Sequence, residues 1–216
     1  MIGRPQVGVL AVQGAVAEHE AALRAVGADP RQVRTAEGLE GLDGLVVPGG
    51  ESTTFGLVAE RSGLLEALRS AVRERSLPTF GTCAGLIMLA GGTTGGAQPL
   101  VGGMDVVVRR NAFGRQVASF ETELAVPAIG DDPLTAVFIR APWIERAGPG
   151  VEILASHMGH PVAARQRHLL ATAFHPELTN DRRLHALFLD MVRAAGAREE
   201  GGNDSRDEGV GRVRAQ

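Results

Sequence analysis

Residues 7–26 have the sequence VGVLAVQGAVAEHEAALRAV, in which a continuous apolar run passes into a helical pattern. The run at residues 7–12 is rich in β-branched residues and ends at Gln13-Gly14, which is typical of a buried parallel strand followed by a loop. From residue 15 to residue 26 the apolar positions recur at helical spacing, and Gly27 supplies a stop signal. The segment therefore predicts one βα unit.

The alternation of strand and helix continues through the first half of the chain. A second apolar strand at residues 44–47 is broken by residues 48–50, and the leucines that follow mark one face of a helix. A third strand at residues 79–81 leads through Cys83 into a helix at residues 84–90. This alternation predicts an α/β fold with an open, mixed, flavodoxin-like sheet flanked by helices, whose ligands lie beyond the carboxyl ends of the parallel strands.

The second half of the chain has a different pattern. After a loop expected at residues 91–96, short apolar segments alternate with Gly and Pro turns, which predicts strands that pair partly antiparallel. A last amphipathic helix is expected at residues 182–195, closing a single domain of residues 1–196. Residues 197–216 have almost nothing to bury, which predicts a disordered charged tail. The expected strands lie at residues 106–108, 120–126, 136–139, 151–155 and 169–174.

The composition excludes several classes of function. A formal net charge of -3, a pI near 6.1 and scattered arginines give no basic surface for nucleic acid. No apolar run is long enough to span a membrane, and the start is too short and polar for a signal peptide, so we expect a cytoplasmic protein. The single cysteine cannot form an internal disulfide. All 22 basic residues are Arg, so lysine Schiff-base chemistry is impossible on these residues.

The single cysteine, Cys83, stands where the third strand turns sharply into its helix. Residues 80–85 have the sequence FGTCAG, with a Gly two positions before and two after the Cys, as in a nucleophile elbow. The start of the following helix favours negative charge and hence the thiolate. A small buried Cys in a glycine-rich bend has the same appearance. The motif alone therefore leaves both interpretations open.

A base for this nucleophile is offered by residues 174–177, with the sequence FHPE. His175 follows an apolar strand, and Glu177 can turn back toward the same imidazole, as a base and its orienting acceptor must. The other five histidines are interpreted as structural, with His19 on the inner face of the first helix. None of them shows the spacing of metal ligands, so we expect no metal.

A third element is the sequence VPGGES at residues 47–52. Its two glycines can present backbone N–H groups to an anionic oxygen, although a simple turn has the same sequence. Because strand ends meet at one edge of an open sheet, the loops at residues 13–14, 48–52 and 81–85 should gather there. A cysteine, a glycine-rich strand end and a late His-Pro-Glu run would then share one site.

In this order, these three motifs resemble the class I glutamine amidotransferases. Longer segments are similar to one branch of that class, the glutaminase subunits of pyridoxal 5'-phosphate synthase, and the resemblance covers residues 7–195. These segments are residues 10–19, 48–54, 81–89, 110–116, 138–142 and 174–179.

The resemblance implies a class I amidotransferase fold and a role for each matching residue. It implies L-glutamine as substrate, no cofactor, and a large hetero-oligomer in which the partner that receives the ammonia is a (β/α)8 barrel synthase. Backbone N–H groups of Gly50 and Ala84 would stabilise the oxyanion. The catalytic triad would be Cys83, His175 and Glu177, and the glutamine pocket would be lined by Gly50, Glu51, Ser52, Arg110, Ile139 and Arg140.

The chain departs from this family pattern in three places. Trp143 stands where a His is expected, His168 stands where a small polar residue is usual, and the charged tail is an addition. None of these departures touches the expected triad. Trp143 is interpreted as a half-buried aromatic at a rim, with a contact to a partner as the alternative.

Three other functions share some of these features. A glutaminase subunit of another pathway, such as that of imidazole glycerol phosphate synthase, has the same triad and a different partner. A non-catalytic binding module of this fold has no need of an intact triad, and a cysteine peptidase on a related scaffold has no need of the pocket arginines. The segments at residues 13–16 and 110–116 favour the vitamin B6 branch.

Overall fold

The computed structural model describes residues 3–113 and 119–204, with side chains described as far as Arg198. Within these residues the helices are α1 (Val16–Ala25), α2 (Ser52–Arg61), α3 (Leu64–Arg69), α4 (Ala84–Leu89) and α5 (Arg183–Asp204). The strands are β1 (Gln6–Leu10), β2 (Asp29–Val33), β3 (Gly44–Val47), β4 (Thr79–Thr82), β5 (Ala90–Thr94), β6 (Met104–Arg109), β7 (Ser119–Leu124), β8 (Leu134–Ile139), β9 (Trp143–Ala147), β10 (Glu152–His157), β11 (His160–Gln166) and β12 (Leu169–Thr172).

The central sheet is mixed, as the sequence predicts. Its seven strands lie in the order β10-β11-β12-β4-β3-β1-β2. The five strands from β12 to β2 are parallel, whereas β10, β11 and β12 pair antiparallel. The parallel part has the strand order of a flavodoxin-like doubly wound sheet, which places ligands at the carboxyl ends of β1, β3 and β4.

Helices cover the parallel strands, and the core lies between the two. Every residue of β3 and β4 is buried, which explains why β3, with the sequence GLVV, is a continuous apolar run without alternation, whereas β4 has a buried threonine at each end. Helices α1 and α5 pack against each other, and Phe188 of α5 lies 5.7 Å from Phe80 of β4, measured between ring centroids. No helix in the described ranges has the length and apolarity that crossing a membrane requires.

Several elements differ from the sequence prediction. The loop expected at residues 91–96 is wrong, because Ala90–Thr94 forms β5 and pairs with β6 in a second, three-stranded sheet with β9. The glycine-rich composition of this segment is typical of a loop, but β6 pairs with its backbone and makes it a strand. The edge strand β2 was also not predicted, because its residues are mostly exposed and polar. A two-stranded sheet of β7 and β8 completes the described fold.

The last helix is longer than expected and continues to Asp204. Among the residues of this helix whose side chains are described, the buried ones lie between Leu184 and Val192, and residues 193–198 are exposed or half-buried. Residues 193–198 therefore contribute no buried side chain to the core. Residues 205–216, the remainder of the predicted tail, lie outside the described residues.

Deleting residues 197–216 is expected to leave the stability nearly unchanged, because the deleted part begins beyond Val192, the last buried residue among the described side chains of α5. The change in Tm should stay below about 2 °C, since surface changes usually alter the free energy of unfolding by less than about 0.5 kcal/mol. A control deletion from residue 187 removes Phe188, Leu189 and Val192 and should prevent folding. Thermal unfolding followed by circular dichroism measures both, and a large drop in Tm for the shorter deletion would contradict the prediction.

Candidate active site

The loops after β1, β3 and β4 meet at one edge of the sheet, as predicted. The Gln13 side-chain amide donates a hydrogen bond to the Glu51 carbonyl at 2.9 Å, which ties the first loop to the second. Gly49 lies against Cys83 and His175 so closely that a β-carbon there would collide with the imidazole. A cavity of about 290 Å³ opens at this edge and is lined by residues of all three loops.

Cys83 forms a sharp turn between β4 and α4. Its backbone has φ 50° and ψ −100°, a positive-φ conformation outside the allowed regions, which a residue with a side chain adopts only when its surroundings impose it. The turn is held by the Cys83 N–H, which donates to the Thr172 carbonyl at 2.8 Å. Gly85 must lack a side chain, because a β-carbon there would overlap the Val47 carbonyl. This is the geometry of a nucleophile elbow.

The Cys83 thiol lies at the cavity while most of the residue is buried. Its Sγ is 3.8 Å from the carbonyl oxygen of Ile139, a long contact even for sulfur. No other cysteine exists in the chain. The sulfur is therefore available to a ligand in the cavity.

His175 reaches the same cavity from the end of β12. Its backbone N–H donates to the Val137 carbonyl at 2.9 Å, which fixes the chain as it leaves the sheet. A 3-10 turn, Pro176–Leu178, then brings Glu177 back, so that His175 Nδ1 lies 2.7 Å from Glu177 Oε1. Burial opposes the charged form of His175, but hydrogen bonds to Cys83 and Glu177 and the charges of both outweigh it and raise the pKa of His175 to about 10.

Glu177 lies behind His175, with no exposed side-chain surface. Burial raises its pKa, but the hydrogen bond to His175, the approach of His19 Nε2 and the charge of the His175 imidazolium have the larger combined effect, so the pKa of Glu177 lies well below its ordinary range. Glu177 is thus a buried carboxylate that stabilises an imidazolium. Cys83, His175 and Glu177 have the arrangement of nucleophile, base and orienting acceptor.

Glu51 is committed to local contacts. Its carboxylate accepts from the N–H groups of Thr53 and Thr54 and from the Thr54 hydroxyl, which makes it the N-cap of α2. The hydrogen bond from the Thr54 hydroxyl is the largest cause of a pKa of Glu51 lowered to about 2. The Arg110 guanidinium lies 3.2 Å from the same carboxylate. Glu51 therefore holds Arg110 at the cavity wall.

The other predicted site residues differ in whether they line the cavity. Arg140 follows β8 with a positive φ of 43°, and this strained turn places it on the cavity wall. Ala84, by contrast, has a buried side chain outside this cavity, and only its backbone at the start of α4 adjoins Cys83. The predicted residues that line the cavity are Gly50, Glu51, Ser52, Cys83, Arg110, Ile139, Arg140 and His175.

Comparison with known proteins places this geometry in a family. The model of the SNO glutamine amidotransferase family matches residues 9–194. The chain belongs to this family. A relative from Parafrankia sp. (strain EAN1pec), named pyridoxal 5'-phosphate synthase subunit PdxT, is 59% identical over 192 residues, which are 88% of this chain and 94% of that protein. A relative of the same name from Streptomyces avermitilis is 55% identical over 192 residues, covering 88% and 95% of the two chains.

Two solved structures are similar to this chain. One described as a glutamine amidotransferase is 51% identical, has a TM-score of 0.81, and covers 86% of this chain and 98% of its own. A glutamine amidotransferase from Thermotoga maritima is only 15% identical, with a TM-score of 0.58 and coverage of 94% and 86%. At this low identity, the similarity to the Thermotoga maritima protein shows only a shared fold.

This SNO family member has site residues that sequence reasoning missed. Asn111 lines the cavity with φ 46°, and Gln13 braces the loop that carries Gly50. His19 was expected on the inner face of the first helix, where it lies, but its approach to Glu177 was not foreseen. The sequence feature that could have indicated this contact is a polar residue at a core-facing position of an amphipathic helix. Of the segment at residues 110–116, residues 114–116 lie outside the described residues.

Trp143 was expected to be half-buried, and it is. Its ring stacks on His160 with centroids 3.6 Å apart, and its indole N–H donates to Glu145 at 2.7 Å. The Trp143 side chain, at the start of β9, thus contacts other residues of the same chain.

Proposed function

We propose that the chain hydrolyses L-glutamine to glutamate and ammonia, and that it passes the ammonia to a (β/α)8 barrel synthase subunit for pyridoxal 5'-phosphate synthesis. The observation that carries the proposal is the shared position of Cys83 and His175 on one cavity, with His175 bonded to a buried carboxylate. Relatives more than 50% identical bear the name of a pyridoxal 5'-phosphate synthase subunit. Transfer of the glutamyl group to a cysteine fits the geometry of the cavity and the names of these relatives.

The first step is attack of the Cys83 thiolate on the carboxamide carbon of glutamine. The new C–S bond forms as the carbonyl becomes an oxyanion, which backbone N–H groups of Gly50 and Ala84 stabilise. The imidazolium of His175 gives its Nε2 proton to the amide nitrogen, and the C–N bond breaks. Ammonia leaves, and a glutamyl thioester remains on Cys83.

The second step is hydrolysis of this thioester. Neutral His175 takes a proton from a water molecule, and the resulting hydroxide attacks the thioester carbon. The C–S bond breaks, glutamate leaves, and Cys83 and His175 return to the thiolate–imidazolium pair. Glu177 orients the imidazole and stabilises its charge in both steps.

The pocket residues give the site its preference for glutamine. Arg110 and Arg140 are the arginines on the cavity wall, and a guanidinium can bind the α-carboxylate of glutamine through two hydrogen bonds. Gly50, Glu51, Ser52 and Ile139 line the same wall and complete the pocket. Because Glu51 caps α2, its part in binding is to position Arg110.

The synthase step belongs to the partner. The chain has no lysine, so it cannot hold a sugar phosphate as an imine. Release of free ammonia without an acceptor would waste glutamine, so we expect the glutaminase to be weak until the barrel subunit binds. Such a pairing fits a large hetero-oligomer in the cytoplasm.

Transfer of nitrogen can be followed with isotopes. The chain, the barrel subunit, pentose phosphate, triose phosphate and amide-¹⁵N glutamine are mixed with an excess of unlabelled ammonium. We expect ¹⁵N in the pyridine ring despite that excess, because channelled ammonia does not mix with the solvent. The matched control is a complex with Cys83→Ala, which should build its ring nitrogen from ammonium alone.

Two results would contradict the proposal. One is full glutaminase activity without the barrel subunit together with no pyridoxal 5'-phosphate in its presence. The other is incorporation of ¹⁵N by the Cys83→Ala complex, which would place the nucleophile elsewhere.

A further inference from the structure

A second layer of buried histidines lies behind Glu177, on the side away from the cavity. His19 of α1 and His185 of α5 both have no exposed surface, although histidine is a polar residue. His19 Nε2 lies 3.4 Å from Glu177 Oε2 and 3.2 Å from the Thr82 hydroxyl oxygen. His19 Nδ1 lies 3.1 Å from His185 Nε2. The contacts form one chain from His185 through His19 to Glu177.

The surroundings of His19 Nε2 indicate that this nitrogen carries a proton. Two oxygen atoms converge on it, and one of them belongs to a carboxylate that stays ionised because its pKa is low. A bare nitrogen lone pair beside a buried carboxylate oxygen would be repelled, whereas an N–H is attracted. Glu177 Oε2 has no shorter hydrogen bond in the described structure, and His19 Nε2 approaches it to 3.4 Å.

His185 supports the same protonation state. Burial, and after it the neighbouring His19, lower the pKa of His185 to about 3, so its ring is neutral and carries one N–H. Its Nδ1 has no partner in the described residues. An unpaired buried N–H is rarer in proteins than an unpaired acceptor, so the proton belongs on Nε2, where it is donated to His19 Nδ1. His19 is then left with its proton on Nε2.

We propose that His19 is a positioning residue for the glutaminase reaction and that His185 fixes its tautomer. Glu177 is then held at both oxygens, by His175 on Oε1 and by His19 on Oε2. A carboxylate held at both ends cannot rotate away from His175, so the imidazole keeps the orientation that catalysis needs. This inference rests on the proposed function and extends the same site inward.

The competing explanation is that the two histidines only fill space between α1 and α5. His185 does pack against Phe80, with ring centroids 5.7 Å apart. Packing alone, however, needs no nitrogen near Glu177, and it would treat all side chains of similar size alike. The two explanations therefore differ in their dependence on one N–H group.

Three substitutions of His19 separate the explanations. In His19→Gln the side-chain amide reaches the former position of Nε2 and can still donate to Glu177. In His19→Asn the amide reaches only the former position of Nδ1, so it faces His185 and leaves Glu177 without the donor. His19→Leu has neither group. The barrel subunit is present in each assay of glutamate release, and His160→Gln, a change outside the site, is the control.

We expect kcat to fall about 10- to 100-fold in the Asn and Leu variants and less than about threefold in the Gln variant, as for lost partners of other active-site ligands. KM for glutamine should stay unchanged, because His19 does not line the cavity. Equal activity of the Gln and Asn variants would overturn the inference. If Cys83→Ala is inactive while all three His19 variants are fully active, this inference fails and the proposed function stands.

Two further measurements do not depend on turnover. The rate of Cys83 alkylation by iodoacetamide, followed against pH on the chain alone, should have its midpoint at higher pH in His19→Asn than in His19→Gln, because the imidazolium that stabilises the thiolate is less well supported. In the unmodified chain, ¹⁵N chemical shifts of the imidazoles should show protonated Nε2 in both His19 and His185. A proton on His19 Nδ1 would overturn the inference even if every variant failed to fold.

Discussion

Cys83→Ala is expected to abolish glutamine hydrolysis and leave the chain folded. The sulfur is the only thiol in the protein, and loss of the nucleophile in an enzyme of this type lowers kcat by about 10⁵- to 10⁶-fold. The fold should tolerate the change, because the turn is held by backbone contacts. The Cys83 N–H bonds to Thr172, and Gly85 allows α4 to approach Val47, whereas Sγ is 3.8 Å from its nearest backbone acceptor in the described residues, the Ile139 carbonyl.

Two measurements on Cys83→Ala check these expectations. Glutamate release in the presence of the barrel subunit should fall to background, and the free energy of unfolding should change by about 1 kcal/mol or less. Cys83→Gly is the matched control for strain: glycine adopts φ 50° without cost, so it should be equally inactive and no less stable in spite of its greater freedom in the unfolded chain. Surviving activity, or a collapsed fold in the Ala variant, would contradict the assignment of Cys83.

The sequence predicted the parts of the fold whose patterns are local. A buried parallel strand such as β3 is an uninterrupted apolar run, and a glycine on each side of Cys83 indicates a turn that no bulkier residue can make. The proximity of His175 and Glu177 followed from their separation of two residues. The meeting of three distant loops followed from the rule that ligands lie at the carboxyl ends of parallel strands.

Other parts of the fold depend on partners distant in sequence. Residues 29–33 are polar and mostly exposed, and they form a strand only because β1 offers a free edge. The glycines of β5 are extended because β6 pairs with them. Such contacts leave no local pattern, so sequence periodicity did not find these strands.

The same limit applies to the candidate site. His19 was placed on the inner face of α1 by its spacing, but its contact with Glu177 depends on residues 158 positions apart meeting in the core. Glu51 was expected to line the pocket, and it does, yet its role as the N-cap of α2 was not foreseen because Glu is not among the favoured capping residues. The role of His19 depends on which groups approach the Glu177 carboxylate, and the role of Glu51 depends on which groups its own carboxylate accepts from.

His175→Asn is expected to lower kcat by about 10⁵- to 10⁶-fold, and Glu177→Gln by about 10³- to 10⁴-fold. Asn places its amide near the former Nδ1, so it keeps a hydrogen bond to Glu177 and removes only the nitrogen that faces Cys83. The variant therefore tests proton transfer with little change in packing. Glu177→Gln keeps the imidazole and removes the charge that supports it.

The structure explains why Glu177→Gln should still be costly. An amide has one acceptor oxygen and one NH₂ group, yet both His175 and His19 face the carboxylate. If the amide oxygen accepts from His175, the NH₂ group points at His19, and in the opposite orientation His175 must change its tautomer. Removal of the charge also lowers the pKa of His175 from about 10 toward its ordinary value, so the thiolate–imidazolium pair loses stability.

The ranking of the two variants is the decisive result. Both are assayed with the barrel subunit under single-turnover conditions, so that chemistry and not product release sets the observed rate. In Glu177→Gln the midpoint of Cys83 alkylation should also move to higher pH, because a less basic His175 supports the thiolate less well. If Glu177→Gln were slower than His175→Asn, Glu177 would have to move the proton itself. A carboxylate that lies behind the imidazole, bonded to Nδ1 and with no exposed surface, cannot reach the substrate to do so.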